Sequence, residues 1–451
     1  MKATDQYQGK HVLVLGLAKS GYAAARLLHQ LGAEVTVNDG KPLAENPAAQ
    51  ELIEQGLDVI CGEHPLTLLD KPIDLIVKNP GIPYSNPILE EAVKRNIPII
   101  TEVELAYHIS DADIVAITGS NGKTTTTTLI TKMLENSGRT PLVAGNIGVV
   151  ACEVAEQASD DDVIVMELSS FQLMGTDTFQ PKISVLLNIF DAHLDYHGSK
   201  QHYIDAKARI QANQEESDYL VYNVDDKEVV AIAETSSATK IGFSTRVLHP
   251  EGLDIAEGHL RYKQTPIIAL EDVMLPGRHN LENILAAVGA SILAGSSREQ
   301  IQHVLKTFGG VQHRLQFVKK HKERAFYNDS KATNILATSK ALDAFQQPVI
   351  LLAGGLDRGN SFDALIPSLS GVKAVVAFGE TKHKIAETAQ SVDVPSIQVV
   401  DVLEAAVHAA YAQSEEGDII LLSPACASWD QFRTFEERGD AFIQAVSKII
   451  N

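Results

Sequence analysis

Lys123 and Thr124 stand where an ammonium and a hydroxyl can do phosphate chemistry. They close the turn Thr118-Gly119-Ser120-Asn121-Gly122-Lys123-Thr124, inside the segment DIVAITGSNGKTTTTT. Glycines in such a turn let backbone N–H groups approach phosphate oxygens, and the helix that follows adds positive potential. Lys123 can reach terminal phosphates, the Thr124 hydroxyl can ligate Mg²⁺, and Thr125 follows in the same helical turn. The common phosphate loop has four residues between its two glycines; here Ser120 and Asn121 alone separate Gly119 from Gly122. The plain alternative is an ordinary glycine turn, and the Gly-Lys-Thr run between a strand and a helix argues against it.

Three more side chains could join this cradle. Glu167 ends the apolar run in VIVMELSSF, where a phosphate-loop enzyme often places an acidic Mg²⁺ ligand. The segment NIFDAHLD, Asn188 to Asp195, offers His193. A lone histidine is more often structural than a ligand, but Thr124, Glu167 and His193 would converge on one edge of one sheet. Lys207, in the helical stretch Tyr203 to Lys207, reads by itself as a solvated surface lysine. Near the start, Gly16-Leu17-Ala18-Lys19-Ser20-Gly21 follows a strand and Asp39 ends the next. That is the frame of a dinucleotide fingerprint, with Ala18 in place of the glycine that admits a pyrophosphate most closely. A dinucleotide, a nucleotide diphosphate with Asp39 near its ribose or base, and a packing turn without ligand are all consistent with it.

Positioning these residues takes a series of strands. Apolar runs at His11–Leu15, Glu34–Asn38, Asp74–Lys78 and Pro98–Ile100 alternate with helical stretches, the rhythm of a small doubly wound unit. The run Ile114 to Ile117 leads into the phosphate loop, and Leu129, Ile130, Met133 and Leu134 keep helical spacing after it, up to Gly138. Val163–Glu167, Ile183–Asn188 and Tyr219–Asn223 read as further strands of that second unit. Short alternating strands fill the stretch from about Thr239 to Leu275, then helices span Asn280–Ala294 and Arg298–Thr307. Gly309-Gly310 reads as a hinge. Val349–Ala353, Ala374–Phe378 and Ile419–Leu422 predict a third unit with a parallel sheet. Ligands of such sheets sit at strand carboxyl ends. Gly16 to Gly21, Asp39, Asn79-Pro80-Gly81, Glu167, Asn188, Gly354-Gly355 and Ser423-Pro424 all fall there. Three loaded strand-end faces suggest separate ligands brought together by domain closure.

Composition bounds the reading. A chain of 451 residues exceeds one typical core, so about two to three domains are expected. Hydrophobic content of 45% with 21% charged residues fits a globular protein. The net charge of -20 argues against nonspecific nucleic-acid or anionic-membrane binding, and makes any polyanionic ligand depend on local cations. No apolar stretch is long enough to span a bilayer, and the start lacks the apolar core of a secretory signal. Cys61, Cys152 and Cys426 are far apart, without metal or redox spacing, and read as reduced thiols in a cytoplasm.

TGSNGKTTTT, MELSSFQL, NIFDAHLDYHGS, Lys207 in its helix, GRHNLENILAA, HRLQF and NDSKATN together resemble the Mur ligases, in order along essentially the whole chain. These are ATP-dependent amide ligases of peptidoglycan precursor synthesis, related to folylpolyglutamate synthases. The fold class implied is α/β with three domains. They are a Rossmann-like domain over 1–103 for the UDP precursor, a phosphate-loop domain with a mostly parallel sheet over 104–310 for ATP, and an α/β domain over 311–451 for the incoming amino acid. Within the family, NDSKATN, GNIG and SPACASWDQF imply addition of D-glutamate to UDP-N-acetylmuramoyl-L-alanine through an acyl phosphate.

The resemblance also assigns roles. Gly119 to Thr125 would bind ATP together with Asn280, Arg314, Asp329 and Lys331, with His313 beside Arg314. Thr124, Glu167, His193 and Lys207 would hold magnesium, two ions in all, with Lys207 carbamylated. Lys123, Lys207, His193 and Asn146 would form the catalytic set, Asn146 lying beside the reacting substrate. Lys19, Ser20, Gly21, Asp39, Asn79 and Asn146 would meet the UDP precursor. Thr333, Arg358, Ser428 and Phe435 would frame D-glutamate. Lys19 stands where relatives commonly carry an apolar residue, and Arg358 where a lysine also occurs. The implied enzyme is a cytoplasmic monomer without nucleic-acid or membrane partners. Its rivals are a related ligase for another amino acid, an NAD-dependent oxidoreductase built on the first domain, and a nucleotide-binding switch without turnover.

Overall fold

The computed structural model describes residues 2, 4–190 and 194–450. Its strands gather into three sheets. The first holds β1 (His11–Leu15), β2 (Glu34–Asp39), β3 (Asp58–Cys61), β4 (Leu75–Lys78) and β5 (Ile99–Ile100), in the order β3-β2-β1-β4-β5 and all parallel. Helices follow each strand because a parallel pair needs a crossover, and their apolar faces cover the sheet.

The second sheet holds β6 (Asp113–Thr118), β7 (Thr140–Gly145), β8 (Asp162–Glu167), β9 (Ile183–Leu186), β10 (Tyr219–Asn223), β11 (Thr239–Phe243), β12 (Leu253–Ala256), β13 (His259–Tyr262) and β14 (Thr265–Ala269). Their order is β14-β13-β12-β11-β10-β9-β6-β8-β7. Strands from β7 across to β12 run parallel, and β12, β13 and β14 form the antiparallel patch expected between Thr239 and Leu275. The third sheet holds β15 (Gln316–His321), β16 (Arg324–Asn328), β17 (Val349–Gly354), β18 (Ala374–Phe378), β19 (Ser396–Val399) and β20 (Ile419–Leu422). Its order is β15-β16-β20-β17-β18-β19. The parallel sheet expected here carries one antiparallel member, β15, which turns back onto β16 at an edge. The runs VILLAG, AVVAF and IILL are buried throughout, as strands covered on both faces must be.

By compactness the chain divides into two units. One comprises Met1–Leu270 with Glu282–Val304 and holds the first two sheets; the other comprises Glu271–Leu281 with Leu305–Asn451 and holds the third. A continuous core links the first sheet to the second, with Ile100, Val103 and Ile109 packing beside Ile114, Ala151 and Leu173. Among the described residues no helix is long and apolar enough to cross a membrane.

Each sheet has one switch point where the strand order reverses, and crevices that take ligands open there. It falls between β1 and β4 in the first sheet, around β6 in the second, and around β20 in the third.

Candidate active site

At the second switch point β6 ends at Thr118 and a helix begins at Lys123. Gly122 takes φ +86° at the helix start, and a Cβ there would lie 2.0 Å from Asn283 Oδ1. The position therefore favours glycine by conformation, and a Cβ would also displace the Asn283 amide. Asn121 N donates to Asn188 Oδ1 at 2.9 Å, and Asn188 Nδ2 returns a bond to Asn121 O at 3.2 Å. The Ser120 hydroxyl accepts from Phe190 N and sits 2.9 Å from the Tyr203 hydroxyl. Thr125 is buried behind the loop. The loop is thus braced on both flanks before any ligand arrives.

Two lysines converge on it. Lys123 Nζ donates to Gly119 O at 2.9 Å and Ser120 O at 3.1 Å. Lys207 Nζ donates to the same Gly119 O at 2.9 Å and to Thr118 Oγ1 at 3.2 Å, 4.8 Å from the centre of the Tyr203 ring. Far from being a solvated lysine, Lys207 is buried. Burial first, and the charge of Lys123 second, hold its amine well below the usual lysine pKa, with Glu167 opposing.

Glu167, at the end of β8, is 1% exposed. Its Oε1 accepts from Asn146 Nδ2 at 2.9 Å, and Asn146 N donates to Glu167 O at 2.8 Å. Its Oε2 has no hydrogen-bond partner among the described residues. A buried carboxylate oxygen left open is the kind of group a hard cation satisfies, so the donors fit Mg²⁺. Among the described residues no three His, Cys, Asp or Glu side chains gather. His193 lies outside the described residues.

At the first switch point Gly16 takes φ +92°, and a Cβ on Gly21 would lie 1.8 Å from Gly16 O. Asn79 Nδ2 donates to Ser20 Oγ at 2.9 Å, joining the loops after β4 and β1. Asp39 Oδ2 accepts from Leu17 N at 2.7 Å and Oδ1 from Lys41 N at 2.9 Å. Asp39 thus braces the glycine loop, and Lys19 is exposed at its rim. Asn280 lies in the first turn of the helix Arg278–Leu293, its Nδ2 on Pro276 O at 2.6 Å.

The third switch point gathers Asp329, Arg314 and Lys331. Asp329 Oδ1 accepts from Leu315 N at 3.1 Å and Oδ2 from the Ser423 hydroxyl at 2.8 Å. Burial pushes its carboxyl up to about 7. Arg314 Nε is buried without a partner among the described residues. Lys331 Nζ lies 5.3 Å from the centre of the Phe435 ring, and Lys331 N donates to His313 O at 3.0 Å. Thr333 follows in the same turn, its N on Lys331 O. Arg358, after β17, and Ser428, after β20, stand on neighbouring loops, because Leu356 N donates to Ala427 O at 3.0 Å.

Known proteins place this arrangement. Residues 10–101 match the family model of the Mur ligase MurD-like N-terminal domain, 117–291 the Mur ligase middle domain, and 313–426 the Mur ligase glutamate ligase domain. A UDP-N-acetylmuramoylalanine–D-glutamate ligase of Halalkalibacterium halodurans is 60% identical over 446 residues, 99% of each chain. The chain belongs to the Mur ligase family. A Bacillus cereus protein of the same name is 59% identical over 450 residues, covering all of both chains. Among solved structures, a UDP-N-acetylmuramate–alanine ligase from Thermotoga maritima superposes with a TM-score of 0.58 at 17% identity, over 97% of this chain and 99% of the other. That likeness speaks for the shared three-domain Mur ligase fold.

Several side chains at these Mur ligase switch points escaped the sequence reading. Lys78, at the end of β4, is 1% exposed, and its Nζ donates to Asn79 O at 3.3 Å, Pro80 O at 3.2 Å and the Tyr196 hydroxyl at 3.5 Å. Burial pushes its amine down to about 8. Tyr196 donates to Pro80 O and Ile82 O, both at 3.0 Å, so the second sheet's flank holds the loop that carries Asn79. The Ser170 hydroxyl lies 2.9 Å from His197 Nε2, and the His197 ring stacks on Phe171. Arg438 is buried against Ser330 and Cys426 O. A lysine ending an apolar strand and an arginine in an amphipathic helix carry no sequence signal of such placement.

Proposed function

We propose that the chain joins D-glutamate to UDP-N-acetylmuramoyl-L-alanine with hydrolysis of ATP to ADP and phosphate. The observation that carries this reading is the convergence of Lys123, Lys207 and Glu167 on one braced phosphate loop, in a chain whose full-length relatives bear the name of that ligase.

A carboxylate is a poor electrophile toward an amine. In the first step a carboxylate oxygen of the L-alanyl substrate attacks the γ-phosphorus of ATP, and ADP leaves. In the second the D-glutamate nitrogen attacks the acyl carbon, the carbon–oxygen bond to phosphate breaks, and the nitrogen loses a proton. Bringing a carboxylate against a triphosphate is repulsive, so Lys123 and the backbone N–H groups of 122–124 at the helix start supply the opposing charge. Arg314 and Lys331 are assigned the same task from the third domain. Mg²⁺, when bound, would screen the phosphates, with Thr124, Glu167 and His193 to hold it. Asn146 keeps Glu167 aimed into the site. Lys207, a buried amine held toward its neutral form, suits reaction with CO₂ to a carbamate, which would turn a repelled cation into an anion facing a second Mg²⁺.

Lys19, Ser20, Gly21, Asp39, Asn79 and Asn146 are assigned to the UDP precursor, Asn280 and Asp329 to ATP, and Thr333, Arg358, Ser428 and Phe435 to D-glutamate. The domains are assigned as 1–103, 104–310 and 311–451. The enzyme is placed in the cytoplasm as a monomer acting on small molecules, without nucleic-acid partners. Phosphate release with ATP, Mg²⁺ and UDP-N-acetylmuramoyl-L-alanine tests the reading. Release is expected with D-glutamate and not with L-glutamate or other amino acids; release that ignores the amino acid, or needs no UDP precursor, would overturn it.

A further inference from the structure

Arg358 sits on an exposed turn beside Asp357, its obvious partner in sequence. That partner is taken. Asp357 carboxylate oxygens lie 2.7 and 2.9 Å from Lys384 Nζ and accept from Gly359 N at 2.8 Å. The guanidinium carbon of Arg358 instead lies 5.0 Å from the centre of the Trp429 ring, and among the described residues it has no carboxylate partner. Trp429 is the chain's sole tryptophan and is 64% exposed.

The backbone under this pair is fixed. Leu356 N donates to Ala427 O, and a Cβ on Gly355 would lie 2.3 Å from Ala427 O, so the two loops touch main chain to main chain. Phe432 N and Gln431 N both donate to Ser428 O, which closes the turn that carries Trp429. Beside it the Ser428 hydroxyl, 1% exposed, has no partner among the described residues. An open buried hydroxyl and an arginine without a counter-ion thus stand on adjoining loops. Both are groups that a carboxylate would satisfy.

We propose that Trp429 is a positioning residue for the incoming amino acid: its indole face seats the Arg358 guanidinium so that the in-plane N–H edge meets a substrate carboxylate near Ser428. This rests on the reading of Arg358 as a D-glutamate contact. Stacking uses the flat face of a guanidinium and leaves its donors free. It also restrains a long side chain that would otherwise lose rotamer freedom on binding.

Kinetics of the full-length enzyme, with each substrate varied in turn, test it. Trp429→Ala is expected to raise the KM for D-glutamate about three- to tenfold, with the KM values for ATP and the UDP precursor nearly unmoved. Trp429→Phe should retain most of the parent's affinity, since a smaller ring still offers a face. Because Trp429 acts through Arg358, the double variant Arg358→Ala/Trp429→Ala should be no worse than Arg358→Ala alone. D-glutamate should also shift the emission of the single tryptophan in the parent and not in Arg358→Ala. A D-glutamate KM unchanged in Trp429→Ala, or additive losses in the double variant, would overturn the role of Trp429 and leave Arg358 standing. An unchanged KM in Arg358→Ala would overturn the reading beneath it.

Discussion

Glu167→Gln should make the protein more stable and nearly inactive at once. The carboxylate is buried, one oxygen is bonded to Asn146 and the other has no partner among the described residues. A buried charged group left unpaired costs about 1–3 kcal/mol, and a neutral amide in its place costs less. Glutamine keeps the shape and can keep the Asn146 bond through its own oxygen. Lys207 loses a favourable charge nearby, which offsets part of the gain, but burial and Lys123 already hold that amine toward neutrality. A net gain of about 1 kcal/mol corresponds to a Tm about 1–2 °C higher for a unit of nearly three hundred residues. Mg²⁺ and ATP should reverse the order. A ligand at about a hundred times its Kd adds roughly 2.7 kcal/mol to the state that binds it, which the parent receives and the variant largely forgoes. Scanning calorimetry in EDTA and again with Mg²⁺ and ATP reads both effects, beside a phosphate-release assay expected to fall about a hundredfold or more. A variant that melts below the parent in EDTA, or gains as much from Mg²⁺ and ATP, would refute the assignment of Glu167 to the metal.

Lys123→Ala should lose about a hundredfold or more in rate with an unchanged circular dichroism spectrum, since one ammonium at the developing phosphate charge is removed; near-normal phosphate release would detach this loop from ATP. Lys207→Ala should be almost inactive and partly rescued by acetate or formate, and full activity in carbonate-free buffer would end the carbamate reading. Lys78→Met should stabilise the protein at pH 7 by roughly 2–3 kcal/mol, because a folded pKa of about 8 against the ordinary 10.5 marks a cation held at a cost. Below pH 8 the lysine is protonated whether folded or unfolded and the cost is full. Above it the folded state gives up its proton first, so the parent recovers stability between about pH 8 and 10. Urea unfolding at pH 7 and pH 10 should therefore show the variant's advantage shrinking, and an advantage equal at both would refute it.

Strands at the middle of each sheet were legible because burial on both faces demands continuous apolar runs: His11–Leu15, Tyr219–Asn223, Ala374–Phe378 and Ile419–Leu422 match their spans residue for residue. Those that escaped are mostly edges. β3, β7, β15 and β19 each have one neighbour, so half-exposed and charged residues, and Pro141 in β7, are tolerated there. The phosphate loop and Glu167 could be read because their chemistry is local to a strand end. Lys207 could not be told from a surface lysine by its own surroundings in sequence; its burial depends on its helix, which also carries Tyr203, packing against the end of β6. Lys78, Arg438 and Trp429 gain their roles in the same way, from contacts that periodicity does not encode.

The place of β20 in its sheet has a consequence for synthesis. The first sheet is complete once residue 100 has emerged, but β16 waits for a partner some ninety residues further on, since Ala325 aligns with Ile419 and Asn328 with Leu422. β17 pairs with the other side of the same strand. Until it arrives, the hairpin of β15 and β16 and the ribbon of β17 to β19 are separate pieces with bare inner edges, Arg-Ala-Phe-Tyr-Asn on β16 and the apolar run Val-Ile-Leu-Leu-Ala on β17. Chains leave the ribosome at about 5–20 residues per second, so that gap stays open for several seconds. In that interval any foreign strand of matching pattern can occupy it. A chain cut short before Ile419 would lose the centre of the sheet rather than its margin, and the nascent form of this unit is the one most in need of a chaperone.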